Sequence, residues 1–191
     1  MANKTLTGKN SPWGKIQGYR DICEGVQTCY TAGHGGVKLD RKRNAAVPAP
    51  WRLAGGWYEE DCDYCIPILV HADAILQNAS EGDADLVYKF APASAIDWFP
   101  DFYEAWTGQK IPVGESKTRR DAEFVEENRD NFVVYSAIGK YDGTVFCHAV
   151  RASDNAKKSF YVDQERYSKR NVLGHVIDPM IDREVVFEPL S

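Results

Sequence analysis

The segment around Asp142-Gly143 sets the firmest constraint on this chain. Residues 132–138 and 144–151 are rich in β-branched and aromatic side chains, and Lys140-Tyr141-Asp142-Gly143 lies between them. An Asp-Gly step supplies the positive backbone angle that a tight reverse turn needs, so the two runs pair as an antiparallel hairpin. Short strands are expected to follow at 159–162, 173–177 and 184–187, with a helical turn at 163–168.

The N-terminal part carries a second set of strand signals. Residues 15–23 and 26–31, joined at Glu24-Gly25, read as a hairpin with Val26, Thr28 and Tyr30 on one side and Gln27 and Cys29 on the other. Gly33, Gly35 and Gly36 are expected to break the ladder around His34, and residues 37–39 to add one short strand. Residues 40–56, with Pro48 and Pro50, read as irregular. A short helix is expected from Trp57 to about Ile66. Its first turn would hold Glu59, Glu60 and Asp61, where the positive end of the helix dipole favours acids, and Pro67 would interrupt it.

Further helices are expected at 84–91, 97–106 and 116–128. In the second, Phe99, Phe102, Tyr103 and Trp106 share a face, Pro100 opens the helix and Gly108 ends it. That aromatic stripe reads as core rather than partner surface. The third is polar, with Phe124 and Val125 as its apolar anchors. Strands, then helices, then strands, without βαβ alternation, give an α+β fold with antiparallel strands at both ends of the chain and a helical middle section. Residues 1–12 read as a flexible N-terminal tail, and 13–191 as a single α+β domain.

Composition excludes several classes. At 43% hydrophobic, 191 residues are enough to bury a core without staples, and dominant disorder is not expected. The chain lacks an apolar run long enough for a membrane span and an apolar N-terminal segment of the secretory type. Five cysteines, an odd number, read as free thiols in a reducing cytoplasm. A formal charge of −5 disfavours a dedicated nucleic-acid binder, although Lys38–Arg43 and Lys117–Arg120 are local basic clusters.

Residues 31–65 concentrate the side chains that do chemistry. Glycines around His34 allow positive backbone angles or the close approach of a ligand, and the imidazole can serve as base, metal ligand or hydrogen-bond donor. Glu59, Glu60 and Asp61 supply carboxylates, which makes His34 with Glu59, Glu60 and Asp61 the candidate catalytic group. Lys38, Arg43, Trp57 and Tyr58 are the candidate binding residues. The structural alternative is a histidine that buttresses the Trp57 helix while the acids serve its N-terminus. Lys38–Arg43 reads as a solvated loop, with Arg43 pairing to the acidic triplet.

No cofactor is expected, and zinc is a secondary possibility. Cys62-x2-Cys65 is half of a structural zinc site that Cys23, Cys29, His34 or His71 could complete, but a second Cys-x2-Cys is missing. As the nucleophile of a Cys–His pair, Cys62 or Cys65 is disfavoured, because the acidic neighbours raise the thiol pKa.

The stretches Trp13-Gly14, His34-Gly35-Gly36-Val37-Lys38-Leu39, Arg43-Asn44 and Gly55-Gly56-Trp57-Tyr58-Glu59-Glu60-Asp61-Cys62 carry a family resemblance. The C-terminal pattern Phe160-Tyr161-Val162-Asp163, Tyr167 and Gly174-His175-Val176-Ile177-Asp178 carries it too. The chain resembles a domain-of-unknown-function family of phages, bacterial plasmids and other mobile elements. The resemblance implies a setting, the host bacterial cytoplasm, rather than an activity. Two functions are expected on these grounds. The first is an accessory protein that binds and inhibits a host protein, such as a defence component. The second is a small hydrolase or transferase using His34 with the acidic triplet, assisted by a metal. The oligomeric state is not legible.

Overall fold

The computed structural model describes residues 5–77 and 79–185. The fold is α+β, with antiparallel sheets in the N-terminal and C-terminal regions and helices between them. The chain divides into two compact units, residues 1–118 and 119–191. Sequence leads to the expectation of one domain because the boundary falls inside a helix rather than in a Pro/Gly/Ser-rich linker.

The first unit begins with β1 (Asn10–Ser11) and β2 (Gly14–Lys15), a two-residue ladder. Strands β3 (Gly18–Cys23), β4 (Val26–Tyr30) and β5 (Gly35–Leu39) follow, then helix α1 (Arg41–Ala46) and strand β6 (Trp57–Glu59). The four longer-paired strands form an antiparallel meander in the order β3-β4-β5-β6. The turn between β3 and β4 closes at Gly25, whose φ of 79° is the left-handed value that glycine adopts at little cost. From residue 5 the segment expected as tail is folded back. Gly8 N donates to Ile16 O at 2.9 Å, and Leu6 is buried with Ile16 and Cys29 against Trp13, Tyr19 and Trp57.

Several expectations for residues 35–70 are corrected. Gly35 and Gly36 lie inside β5 and do not break the ladder. Residues 40–56 are not irregular throughout, since Asp40 caps α1 by accepting from Arg43 N at 2.7 Å. Lys38 and Leu39 are strand and 41–43 helix, so Lys38–Arg43 is not a solvated loop. No helix begins at Trp57. The segment pairs with β5 through Gly36↔Glu59, Val37↔Tyr58 and Lys38↔Trp57, so strand pairing overrides the acidic helix-start signal. The helix starts later, as α2 (Cys65–Val70), and Pro67 sits in its first turn, where its missing N–H costs nothing.

The helical middle continues through α3 (Ala72–Leu76), α4 (Glu81–Asp85), a π-turn at Leu86–Phe90, α5 (Ala91–Trp98) and α6 (Pro100–Thr107). Ser80 and Asp83 form a reciprocal capping box on α4, and Arg20 from β3 donates to Asp83 Oδ1 at 2.7 Å. The π-turn precedes Pro92, whose ring cannot fit a regular preceding turn, so the backbone widens there. Pro100 opens α6 and Gly108, at φ 75°, ends it as expected. Of its aromatic stripe, Phe102 is fully buried, whereas Trp106 is 45% exposed. The core of this unit gathers Val26, Val37, Leu39 and Tyr58 from the sheet with Ile66, Ile68, Ile75, Val87 and Phe102 from the helices.

The second unit takes up helix α7 (Lys117–Glu127) from Arg119 onward, and then β7 (Phe132–Gly139), β8 (Thr144–Arg151), β9 (Lys157–Asp163), α8 (Gln164–Ser168) and β10 (Arg183–Glu184). The sheet order is β10-β9-β8-β7, all antiparallel. The Asp142-Gly143 turn forms as expected, with Gly143 at φ 81° and Asp142 Oδ1 accepting from Thr144 N at 3.0 Å. Val145, Cys147, Ala149, Phe160 and Val162 bury one sheet face with Ile177. The strand expected at 173–177 is reduced to single bridges at Gly174 and Val176. Of the strand expected at 184–187, Glu184 pairs as the end of Arg183–Glu184, Val185 is described outside a strand, and 186–187 lie outside the described residues. In α7, Val125 is 54% exposed and does not anchor the helix.

Candidate functional site

The site lies where β5 begins and β6 ends. Thr31 fixes the loop ahead of β5. Its N–H donates to the His34 carbonyl at 2.7 Å, its hydroxyl donates to the same carbonyl at 2.8 Å, and that hydroxyl also accepts from His34 N at 3.2 Å. The histidine backbone is thereby locked while its side chain stays 60% exposed. Opposite, the register Gly36↔Glu59 brings Glu59 to β5, and Glu60 N donates to Gly35 O at 3.2 Å.

Three of the four expected catalytic side chains converge. His34 Nδ1 is 3.9 Å from Glu59 Oε1, and one donor atom each from His34, Glu59 and Glu60 lie within 4.8 Å of one another. They are the one group of three such side chains with this convergence among the described residues. Glu59 Oε2 accepts from Asp61 N at 2.6 Å, which holds the carboxylate in place. Glu59 Oε1, by contrast, is buried and receives no hydrogen bond from any described residue. A buried carboxylate oxygen without a protein donor is costly unless a water or an ion meets it. Asp61 therefore contributes its backbone N–H rather than its carboxylate.

Gly35 and Gly36 serve close packing rather than turns, since both lie in β5 with ordinary backbone angles. A Cβ at Gly35 would lie 2.5 Å from Glu60 Oε2, so the bare strand lets this carboxylate lie against it. A Cβ at Gly36 would run into the Tyr58 carbonyl and the Trp13 ring.

The expected binding residues separate. Lys38 lies over the Trp57 ring at 4.7 Å and donates to the Gly55 carbonyl, and burial holds its ammonium below the usual range. Trp57 meets Trp13 edge-on at 5.9 Å. Tyr58 is fully buried, its hydroxyl donating to Asn44 Oδ1 at 2.7 Å. Arg43 sends Nε to the Glu24 carbonyl at 2.9 Å, not to the acidic triplet. Arg43-Asn44 is thus a brace for the sheet.

Cys62 and Cys65 stand outside the cluster. Burial, then Asp63 and Glu59, raise the Cys62 thiol, and burial pushes Cys65 up to about 12. Both are neutral thiols at neutral pH and so poor nucleophiles. The raised pKa carries a stability consequence. The unfolded chain ionises Cys65 near its ordinary value of 9.0, while the folded state keeps it protonated. Its contribution is full below about pH 9 and is lost as pH rises toward 12. The urea midpoint of the first unit is expected to fall between about pH 9 and pH 11. The fall should be shallower in Cys65→Ala, though still present, because burial also raises Cys29 and Tyr58.

Beside Glu60 opens a groove of about 380 Å³, lined by Cys29, Val37, Glu60, Tyr64, Leu86 and Phe90. Tyr64, Leu86 and Phe90 come from the helical middle, and sequence reading did not connect them with His34. The available signal was Pro92, which forces the π-turn that carries Leu86 and Phe90; such turns recur at functional sites.

An α+β chain with an exposed histidine and two glutamates at the edge of a meander defines the class. The chain belongs to the family described as Domain of unknown function (DUF7007), which matches residues 7–129. That match holds the whole His34–Glu59–Glu60 cluster. No curated protein and no solved structure matches the chain. Among the described residues, no helix is long and apolar enough to cross a membrane.

Proposed function

We propose that the first unit is a metal-assisted hydrolase or transferase, with His34, Glu59 and Glu60 as ligands of a divalent cation. The observation that carries this reading is the buried Glu59 Oε1, without a donor and facing the His34 imidazole. One imidazole and two carboxylates suit a first-row divalent ion such as Mn²⁺ or Zn²⁺. Such an ion polarises a substrate oxygen and lowers the pKa of a bound water. The chain contributes position: Thr31 locks the histidine, Asp61 N–H orients Glu59, and Glu60 borders the apolar groove where a substrate would lie.

Titration calorimetry with Mn²⁺ and separately with Zn²⁺ tests the reading. One saturable site is expected, with affinity reduced roughly tenfold or more by His34→Ala and by Glu59→Gln. Absence of binding, or binding unchanged in both variants, overturns it. With metal bound, p-nitrophenyl phosphate and p-nitrophenyl acetate separate phosphoryl from acyl chemistry.

A second reading is a phage or mobile-element accessory protein that binds and inhibits a host protein in the bacterial cytoplasm. Its support is the exposure of Tyr88 (71%) and Phe90 (48%) on the π-turn, with Phe90 also bordering the groove. Exposed aromatics of this kind anchor protein interfaces. One stoichiometric partner captured from host lysate and lost in Tyr88→Ala/Phe90→Ala is the expected result; capture unchanged by that variant counts against it.

A further inference from the structure

The sheet of the second unit has two unlike faces. One buries Val145, Cys147, Ala149, Phe160 and Val162. The pairings Ile138↔Phe146, Phe146↔Tyr161, Ser136↔His148, His148↔Ser159 and Arg183↔Tyr161 put the opposite set of side chains together on the other face. None of these is buried. Tyr135 joins them from the irregularity between Val134 and Ser136, and Tyr135 and Ile138 are each 58% exposed.

These side chains form a continuous aromatic row. Phe146 and Tyr161 sit on adjacent strands with ring centroids 5.4 Å apart. His148 meets Phe146 at 4.9 Å, and Tyr135 stacks with His148 at 6.3 Å. Cations rest on the row: Lys140 is 5.5 Å from the Phe146 ring, Arg183 is 4.9 Å from Tyr161 and Lys157 is 5.8 Å from Tyr135. The acidic side chain on the strands of this face, Asp163, is at the rim, and its carboxylate accepts from Arg166 N as the cap of α8. The net charge of −5 averages this distribution away.

We infer that this sheet face binds single-stranded nucleic acid. Unpaired bases stack on aromatic rings set in an open sheet, and flexible cations beside the rings take the phosphates. Lys140, Lys157 and Arg183 now shield the rings with cations on long stems, which can swing aside to admit a base. A duplex offers no free base faces, so the row discriminates against it. The face lies beyond residues 7–129 and is independent of the His34 cluster.

The test is fluorescence anisotropy of a labelled oligothymidylate of about 12 nucleotides with the full chain at low salt. Saturable binding is expected, stronger than for a duplex of equal length and weakening as salt rises. Phe146→Leu and Tyr161→Leu keep an apolar side chain but remove the ring, and each should weaken binding roughly tenfold. Arg183→Gln, on the exposed edge strand, should weaken binding and flatten the salt dependence. Far-UV circular dichroism checks folding. No saturation, equal affinity for duplex, or binding unaltered in both ring variants overturns the inference. So does sedimentation showing a dimer that the ring variants abolish while the oligonucleotide does not bind.

Discussion

Gly36→Ala is expected to destabilise the first unit by about 3 kcal/mol. A methyl group there has no room, because it would press on the Tyr58 carbonyl in the paired strand and on the Trp13 ring above it. A ring can tilt, but a backbone carbonyl moves only if β5 and β6 separate. Separation would break the Gly36↔Glu59 pair and widen the His34–Glu59 spacing, so the metal binding proposed for this cluster should fall with stability. Gly33→Ala is the control within the same motif. A Cβ at Gly33 meets nothing within 4 Å and its backbone angle is ordinary, so its midpoint should be nearly unchanged. Urea denaturation followed by tryptophan fluorescence reads the first unit alone, because all five tryptophans lie within residues 1–118. A Gly36→Ala midpoint equal to that of Gly33→Ala would contradict the packing account.

Phe102→Ala is expected to cost about 4 kcal/mol, the largest effect of any single change considered. Phe102 is fully buried on α6, edge-on to Trp51 at 5.1 Å and stacked with Trp106 at 6.2 Å. Truncation removes the ring from both contacts and leaves a cavity that surrounding helices fill only in part. Trp106→Ala removes a larger side chain, but one 45% exposed, and should cost only about 1 kcal/mol. The same urea assay compares the two. If Trp106→Ala proved the costlier, the stripe on α6 would face its core through the outer ring rather than through Phe102.

The contrast between Phe102 and Trp106 marks the reach of sequence reasoning. Spacing alone put Phe99, Phe102, Tyr103 and Trp106 on one helix face, bounded by Pro100 and Gly108, because those signals are local. The hairpins at Glu24-Gly25 and Asp142-Gly143 were legible for the same reason, as was the α+β order. Which ring of the stripe would be buried depends on Trp51, some fifty positions away, and no local pattern carries that.

The segment 57–66 shows the opposite outcome. Glu59, Glu60 and Asp61 resemble the acidic first turn of a helix, yet Trp57–Glu59 is a strand because β5 offers it a paired edge. Local preference here is worth a fraction of what three ladder pairs and the burial of Tyr58 provide. The strand also brings two of the three acids to His34: its alternation sends Tyr58 into the core and Glu59 toward the imidazole, which a helix would not have done. Sequence by itself determined the fold class, the two hairpins, the aromatic helix and the residue types gathered in 31–65, since each rests on short-range backbone preference. Only the tertiary structure decided that His34 meets Glu59 and Glu60 rather than Asp61 or the cysteines. It alone decided that Arg43, Asn44 and Tyr58 are braces, and that an aromatic and cationic row crosses the second sheet, because each depends on strand register, a long-range property.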